Sequence, residues 1–156
     1  QIAPIRPATL LNEAVNPLRL QVEAKGIRLE VDAPPDLPHV AVDRGQIERV
    51  IGNLVTNAMR ATPGGGTIAV AAEARGGDVA VSVTDTGAGI PREYLSKIFE
   101  PFIQVPHAVG GGAGLGLTIS RRIIEGHGGR LSVQSEPGRG STFSFTIPLA
   151  STRQDS

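Results

Sequence analysis

The chain has 156 residues, with 15 Lys and Arg balanced by 15 Asp and Glu, no cysteine and 20 glycines. That length suits one domain with its own core, and the charge balance argues against a nucleic-acid footprint or an anionic membrane surface as partner. The lack of cysteine excludes disulfide staples and thiolate metal sites, and no apolar run approaches the roughly 20 residues of a membrane helix. No charged-then-apolar signal segment opens the chain, and the start at Gln1 instead of Met points to a fragment of a longer protein.

Gln1 to Pro7 reads as an extended lead-in restrained by Pro4 and Pro7. Leu10, Leu11, Ala14, Leu18 and Val22 carry a helical period from Ala8 to about Lys25, with Gly26 as the stop. Pro17 predicts a kink or break near Asn16, because it removes a backbone donor. Ile27, Leu29 and Val31 alternate with Arg28 and Glu30 as a half-buried strand, Pro34 to Pro38 is a loop, and Val40 to Val42 a short strand. The strongest signal is Asp43 to Thr62, DRGQIERVIGNLVTNAMRAT. Ile47, Val50, Ile51, Leu54, Val55 and Ala58 make one apolar stripe, and Asp43 faces the unpaired first-turn amides. Asn53, Asn57 and Arg60 stack along a different edge at helical spacing. Asparagine is a poor mid-helix residue, so two of them cost propensity. From spacing alone two readings stay open: a solvated polar edge, or two amide oxygens and a cation lined up for a metal and a polyphosphate.

After Pro63 the run GGG ends the helix and opens a hairpin of Thr67 to Ala74 and Asp78 to Thr84, turned by Gly76-Gly77. Val79, Val81 and Val83 share a face, and Asp85 comes directly after them in DTGAGIP. Pro91 to Ile98 predicts one or two helical turns, and Gln104 to Ala113 a glycine-rich, mobile loop. Leu115 to about Gly126 reads as a helix with Leu115, Ile119 and Ile123 on one face. Gly128-Gly129 turns the chain into Arg130 to Ser135, and Pro137 to Gly140 turns it into Ser141 to Leu149; the residues beyond Ala150 read as a frayed tail. The fold class predicted is α+β, a two-layer sandwich of three helices on a mixed, mostly antiparallel sheet of about five strands.

No G-x-x-x-x-G-K-[ST] is present, which excludes a P-loop, and Gly112-Ala113-Gly114 lacks the third glycine of a dinucleotide fingerprint. What remains is a glycine segment running into a helix whose first amides form an anion site. Taken alone, either glycine stretch reads more readily as turns. Order and spacing change this. NLVTNAMRATPGGG, DTGAGIP, IFEPF and GGGAGLGLTIS resemble, in sequence order, the N, G1, F and G2 boxes of the ATP-binding catalytic domain of bacterial sensor histidine kinases. GSTFSFTIPL is similar to the closing strand of that family, which belongs to a wider superfamily with gyrase, Hsp90 and MutL. The resemblance runs from about Ala8 to Leu149.

It implies the Bergerat variant of the sandwich, ATP and Mg2+ as cofactors, and roles at matching positions. Asn57 would bind the Mg2+ that bridges the phosphates, supported by Asn53, and Arg60 would contact phosphate. Asp85 would accept the adenine amine, with Gly87, Gly89 and Ile90 beside the base. Gly112, Gly114, Leu115, Gly116 and Leu117 would wrap the phosphates, Gln104 to Ala113 would form the lid, and Thr142 would reach adenine through water. Residues 1–7 would lead in from a dimerisation domain upstream, 8–149 form the catalytic domain and 150–156 a disordered tail. The partners implied are a dimerisation domain bearing the acceptor histidine and a response regulator, with no nucleic acid and no membrane contact by this segment. ATP places the segment in the cytoplasm, whether or not a parent protein is anchored in the inner membrane.

Departures from the family pattern refine this. Ala61 stands where an aromatic ring is common, Pro101 and Gln104 replace arginines, and the lid has no Lys or Arg. ATP affinity should therefore be modest and lean on Mg2+ and backbone amides. Gyrase-like relatives carry a glutamate base four residues before the metal-binding asparagine; here that position is Asn53, which cannot take a proton at neutral pH, and Glu48 lies too far along the helix. ATP would be held for another nucleophile instead of hydrolysed. His39, His107 and His127 lack the acceptor context, so the segment should not phosphorylate itself; His127, in the helix-ending EGHGG, reads as structural. A related ATPase or serine kinase, and a nucleotide-free docking module, are the competing readings.

Overall fold

The structure, a computed structural model, describes residues 1–98 and 117–150. In chain order the elements are β1 (Ile2–Ile5), α1 (Pro7–Ala24), β2 (Arg28–Asp32), β3 (Val40–Asp43), α2 (Arg44–Ala61), β4 (Thr67–Arg75), β5 (Asp78–Asp85), a single 3-10 turn (Arg92–Tyr94), α3 (Leu117–Gly126), β6 (Leu131–Glu136) and β7 (Gly140–Pro148). The main sheet runs β2-β4-β5-β7-β6, antiparallel except where β2 lies parallel to β4. That is the expected two-layer α+β sandwich with a mixed sheet.

The alternation along each strand decides which face is covered. Val79, Val81 and Val83 of β5 and Phe143, Phe145 and Ile147 of β7 are buried under the helices. The intervening Ser82, Thr84, Thr142 and Ser144 lie on the other face and are only half-buried. In α2 the predicted stripe of Ile47, Val50, Ile51, Leu54, Val55 and Ala58 is buried throughout, each large side chain contributing ~1.5–3 kcal/mol of transfer free energy. Asp43 caps this helix by accepting the Gln46 N–H at 3.2 Å.

Three local expectations change. The segment read as a lead-in is extended but is also paired, since Ile2–Ile5 forms an antiparallel ladder with β3. Pro17 breaks nothing: α1 is continuous from Pro7 to Ala24. Pro17 and Glu13, whose carbonyl loses its partner, both sit on the exposed face where water replaces the missing amide. On α3 the buried face is Leu117, Ser120 and Ile124, whereas Ile119 is 49% exposed. The apolar period alone favoured Ile119 and Ile123, but α3 turns a serine toward α2, where an asparagine bonds it.

His127 is structural, as expected, and joins two helix ends. Its Nε2 accepts the Asp43 N–H at 3.0 Å, and Nδ1 donates to the Ile123 carbonyl at 2.8 Å. These two bonds fix one neutral tautomer and pin the end of α3 to the start of α2.

Candidate functional site

The connection between two parallel strands assembles the site. β2 and β4 run parallel, so the chain between them must cross back over the sheet, and α2 is that crossover. Its C-terminal end therefore returns to the start of β4. Because β4 and β5 are antiparallel, that start lies opposite the end of β5, with Ile68 paired to Asp85. The C-terminal end of α2, the turn that follows Asn57, is thereby brought to the loop that leaves β5 at Asp85.

The loop after β5 is fastened on three sides. The Ala88 N–H donates to the Ala61 carbonyl at 3.3 Å, tying it to α2. Thr86 N–H donates to the Thr67 carbonyl at 3.2 Å, and Thr67 N–H returns a bond to the Thr86 hydroxyl at 2.9 Å. Gly138 N–H donates to the Ala88 carbonyl at 2.7 Å, and Ile90 N–H to the Ser135 hydroxyl at 2.8 Å, tying the loop to β6 and the turn after it. Two glycines are obligatory here. A Cβ on Gly87 would run into the Ala61 carbonyl, and Gly89 has φ +77° with the Glu136 carbonyl where its Cβ would be.

Asp85 is 4% exposed. Its Oδ1 accepts the Gly87 N–H at 2.8 Å. Burial pushes its carboxyl above the ordinary value of 3.8, against the opposing pull of the Gly87 and Ser141 backbone N–H groups. A buried carboxylate held by two backbone donors is an orientated acceptor, suited to an N–H donor on a ligand and unsuited to a second carbonyl.

On α2, Asn57 is 7% exposed and its Oδ1 accepts from Arg60 Nη1 at 3.4 Å, while Arg60 itself is exposed. Asn53 is half-buried and donates from Nδ2 to the Ser120 hydroxyl of α3 at 3.2 Å. Asn53 and Asn57 thus have protein partners, while the Arg60 end of the edge is open to solvent. Glu48 is held by Arg44 at 3.2 Å near the start of α2, away from this edge.

Thr142 lines a cavity shared with Asp85 and Ser141. Thr142 is paired with Thr84, and their hydroxyls meet at 3.2 Å on the sheet face away from the helices. The residue opposite Asp85 is Ser141, 6% exposed, whose hydroxyl bonds that of Ser135 at 2.8 Å. Counting back by twos from Phe145 and Phe143 reaches Ser141, so strand alternation held the signal. Ser120 escapes sequence reasoning as well, because a serine interrupts an apolar stripe. Ile90 and Leu117 are buried core residues at the two ends of this region, 7% and 1% exposed. Gly112, Gly114, Leu115 and Gly116, the lid of residues 104–113, Pro101, His107, the box IFEPF beyond Ile98 and the tail 151–156 lie outside the described residues.

Among the described residues no group of three or more His, Cys, Asp or Glu gathers to hold a metal. The donor set at Asn57 nevertheless suits one cation class. Mg2+ keeps waters and substrate phosphates as most of its six ligands and needs only one or two hard oxygens from protein, which an amide carbonyl supplies. No helix among the described residues is long and apolar enough to cross a membrane.

Residues 42–151 match the family described as histidine kinase-, DNA gyrase B-, and HSP90-like ATPase. The chain is 43% identical over 140 residues to the alginate biosynthesis sensor protein KinB of Pseudomonas aeruginosa, covering 90% of this chain and 23% of KinB. Thus it spans about a quarter of that relative's length. The nucleotide-free catalytic domain of histidine kinase ThkA superposes with a TM-score of 0.84 at 32% identity, with 96% of each chain covered. ThkA in complex with response regulator protein TrrA also matches, with a TM-score of 0.80 at 31% identity over 96% of this chain and 42% of that one. Full-length ShkA in complex with AMPPNP matches with a TM-score of 0.84 at 32% identity, covering 97% of this chain and 32% of that one.

Proposed function

The chain belongs to the histidine kinase-, DNA gyrase B-, and HSP90-like ATPase family, and from that premise we propose that it is the catalytic domain of a sensor histidine kinase, binding ATP with Mg2+ and presenting the γ-phosphate to a histidine on another domain. The observation that carries this reading is the juxtaposition of a buried, orientated carboxylate, Asp85, with the amide-bearing end of α2. One is built to accept a donor on a base, the other to meet an anion and its cation. The likeness to ShkA bound to AMPPNP supports a nucleotide at this place.

In this reading Asp85 accepts the adenine exocyclic amine, and the Ser141 hydroxyl, on the same sheet face, takes the water-mediated part expected of Thr142. Gly87 and Gly89 keep the loop backbone close to the base, with Ile90 packed behind it. Asn57 is the metal-facing amide, Asn53 its support, and Arg60 a phosphate contact on the exposed side. Gly112, Gly114, Leu115, Gly116 and Leu117 complete the phosphate side, and residues 104–113 the lid. Asn57, with Asn53 in support, would hold Mg2+, which would supply neutralisation of phosphate charge for phosphoryl transfer. Asn53, where a hydrolase needs a base, withholds water activation and keeps ATP for the partner.

Residues 8–149 are the catalytic unit, residues 1–7 the entry from a histidine-bearing dimerisation domain and residues 150–156 a tail. A response regulator is the downstream partner, in keeping with the ThkA–TrrA complex. The reaction places this segment in the cytoplasm, where ATP is. Calorimetry of ATP binding with Mg2+ and with EDTA, on this chain and on Asn57→Ala, tests the reading. Expected are modest affinity, a clear gain with Mg2+, and loss of that gain by at least roughly tenfold in Asn57→Ala. No binding by the unaltered, folded chain would overturn it. Phosphorylation of the isolated chain by labelled ATP would overturn the separate acceptor.

A further inference from the structure

The last turn of α2, which follows Asn57 and carries Arg60, ends against a proline. In a continued helix the Met59 carbonyl would accept the N–H of residue 63, but Pro63 has none, and Thr62 before it is already extended at φ −108° and ψ 121°. The closing carbonyls of α2 therefore take donors from elsewhere. The Thr62 hydroxyl donates to the Ala58 carbonyl at 2.7 Å, the Ala88 N–H to the Ala61 carbonyl at 3.3 Å, and the Lys25 ammonium to the Met59 carbonyl at 2.5 Å, from 34 positions earlier in the chain. Lys25 reaches Met59 because the end of α1 lies against the loop that leaves α2. Gly65 N–H donates to the Gly26 carbonyl at 2.8 Å and Arg28 N–H to the Gly66 carbonyl at 2.9 Å, and a Cβ on Gly64 would stand 2.9 Å from the Lys25 carbonyl. Of the three donors, Lys25 alone is charged. It sits where the aligned peptide dipoles leave partial negative charge, a sign unfavourable to a polyphosphate, and its cation offsets that charge.

We propose that Lys25 is a positioning residue for the nucleotide site: by capping the Met59 carbonyl it holds the last turn of α2, and through that turn both Arg60 and the Ala61 carbonyl that anchors the loop after β5. The proposal rests on the nucleotide-binding reading above. Among the described residues no other donor bonds the Met59 carbonyl. With the ammonium removed, that carbonyl turns to water, the turn frays, and the bond between Ala61 and Ala88 opens more often. Thr62 still holds the Ala58 carbonyl, so the turn loosens while the rest of the helix stays folded. The end of α1, which touches neither Asp85 nor Asn57 by any hydrogen bond of Lys25, thereby acts on both sides of the site.

The test compares the unaltered chain with Lys25→Met, which keeps the length of the side chain and removes the donor, and Lys25→Arg, which keeps a cationic donor. Calorimetry with AMPPNP and Mg2+ reads the site, and amide hydrogen exchange followed by NMR reads the hold without any ligand. Lys25→Met should bind AMPPNP roughly three- to tenfold more weakly. Its Ala88 amide should exchange faster by a similar factor, while the Val81 amide in the middle of β5 keeps its rate. Lys25→Arg should recover both values. Unchanged affinity in Lys25→Met, weaker affinity with unchanged exchange at Ala88, equally faster exchange at Ala88 and Val81, or no recovery by Lys25→Arg would each overturn the proposal. Absence of AMPPNP binding by the unaltered, folded chain would instead overturn the functional reading beneath it, and exchange at Ala88 would still show whether Lys25 holds the turn.

Discussion

Replacing Asp85 by asparagine changes one charge and almost no volume, so its consequences can be worked through from the contacts. The carboxylate is 4% exposed and accepts the Gly87 N–H at 2.8 Å. An asparagine amide oxygen keeps that bond, which leaves its NH2 to face the base. Toward adenine this places donor against donor, in place of a hydrogen bond to a charged acceptor worth ~1.5–3 kcal/mol. At ~1.4 kcal/mol per tenfold, ATP should bind roughly 10- to 150-fold more weakly. Guanine offers an acceptor at the same edge, so preference for ATP over GTP should narrow as well. The pH dependence gives a second, independent readout. The ionised carboxylate is the stronger acceptor for the amine, so ATP affinity of the unaltered chain should rise with pH through a midpoint above the ordinary 3.8, and this step should vanish in Asp85→Asn. Stability moves the other way. The folded value is raised, so the folded state holds this proton more tightly than the unfolded chain. Its contribution is fully present below about 3.8 and is lost as pH rises through the raised value. The unfolding free energy of Asp85→Asn should therefore fall less with pH across that window. Calorimetry with ATP and GTP and urea unfolding at several pH values measure all three effects. A folded Asp85→Asn that binds ATP with unchanged affinity and unchanged preference over GTP would refute the reasoning.

Gly87→Ala forces a methyl into the Ala61 carbonyl, so α2 and the loop must separate; overpacking of ~1–3 kcal/mol should lower the melting temperature by roughly 2–4 °C per kcal/mol, with ATP binding weakened in parallel. Asn53→Glu supplies the missing base, and the Ser120 hydroxyl, which accepts from Asn53 Nδ2, would turn to donate to the new carboxylate, so steady phosphate release should rise above that of the unaltered chain; no release from a variant that still binds ATP would show that Asn53 is not what withholds hydrolysis. His127→Ala removes the imidazole that accepts the Asp43 N–H and donates to the Ile123 carbonyl. It should cost ~1–3 kcal/mol in urea unfolding, with no loss of ATP affinity at temperatures where the variant remains folded.

What the sequence by itself determined about this protein is local. The stripe and cap of α2 come from residues three and four apart, and the strands β4, β5 and β7 from residues two apart, because side chains on one element are neighbours through the backbone's own period. The loop at Asp85 was legible for the same reason, since glycines at 87 and 89 announce backbone that must pass close to something. Where an element's partner lies far away in the chain, the local pattern carried no answer. The ladder between β1 and β3 gave residues 2–5 their place, exposure of Glu13 and Pro17 let α1 run through a proline, and contact with α2 turned Ser120 inward ahead of Ile119. Strand register, set by long-range pairing, put Ser141 opposite Asp85 and Thr142 opposite Thr84. The approach of the end of α2 to the loop after Asp85 was decided by the parallel crossover that lays α2 across the sheet and returns Ala61 to Gly87 and Ala88. Periodicity assigns a face to each side chain, but only long-range pairing fixes which other face it meets.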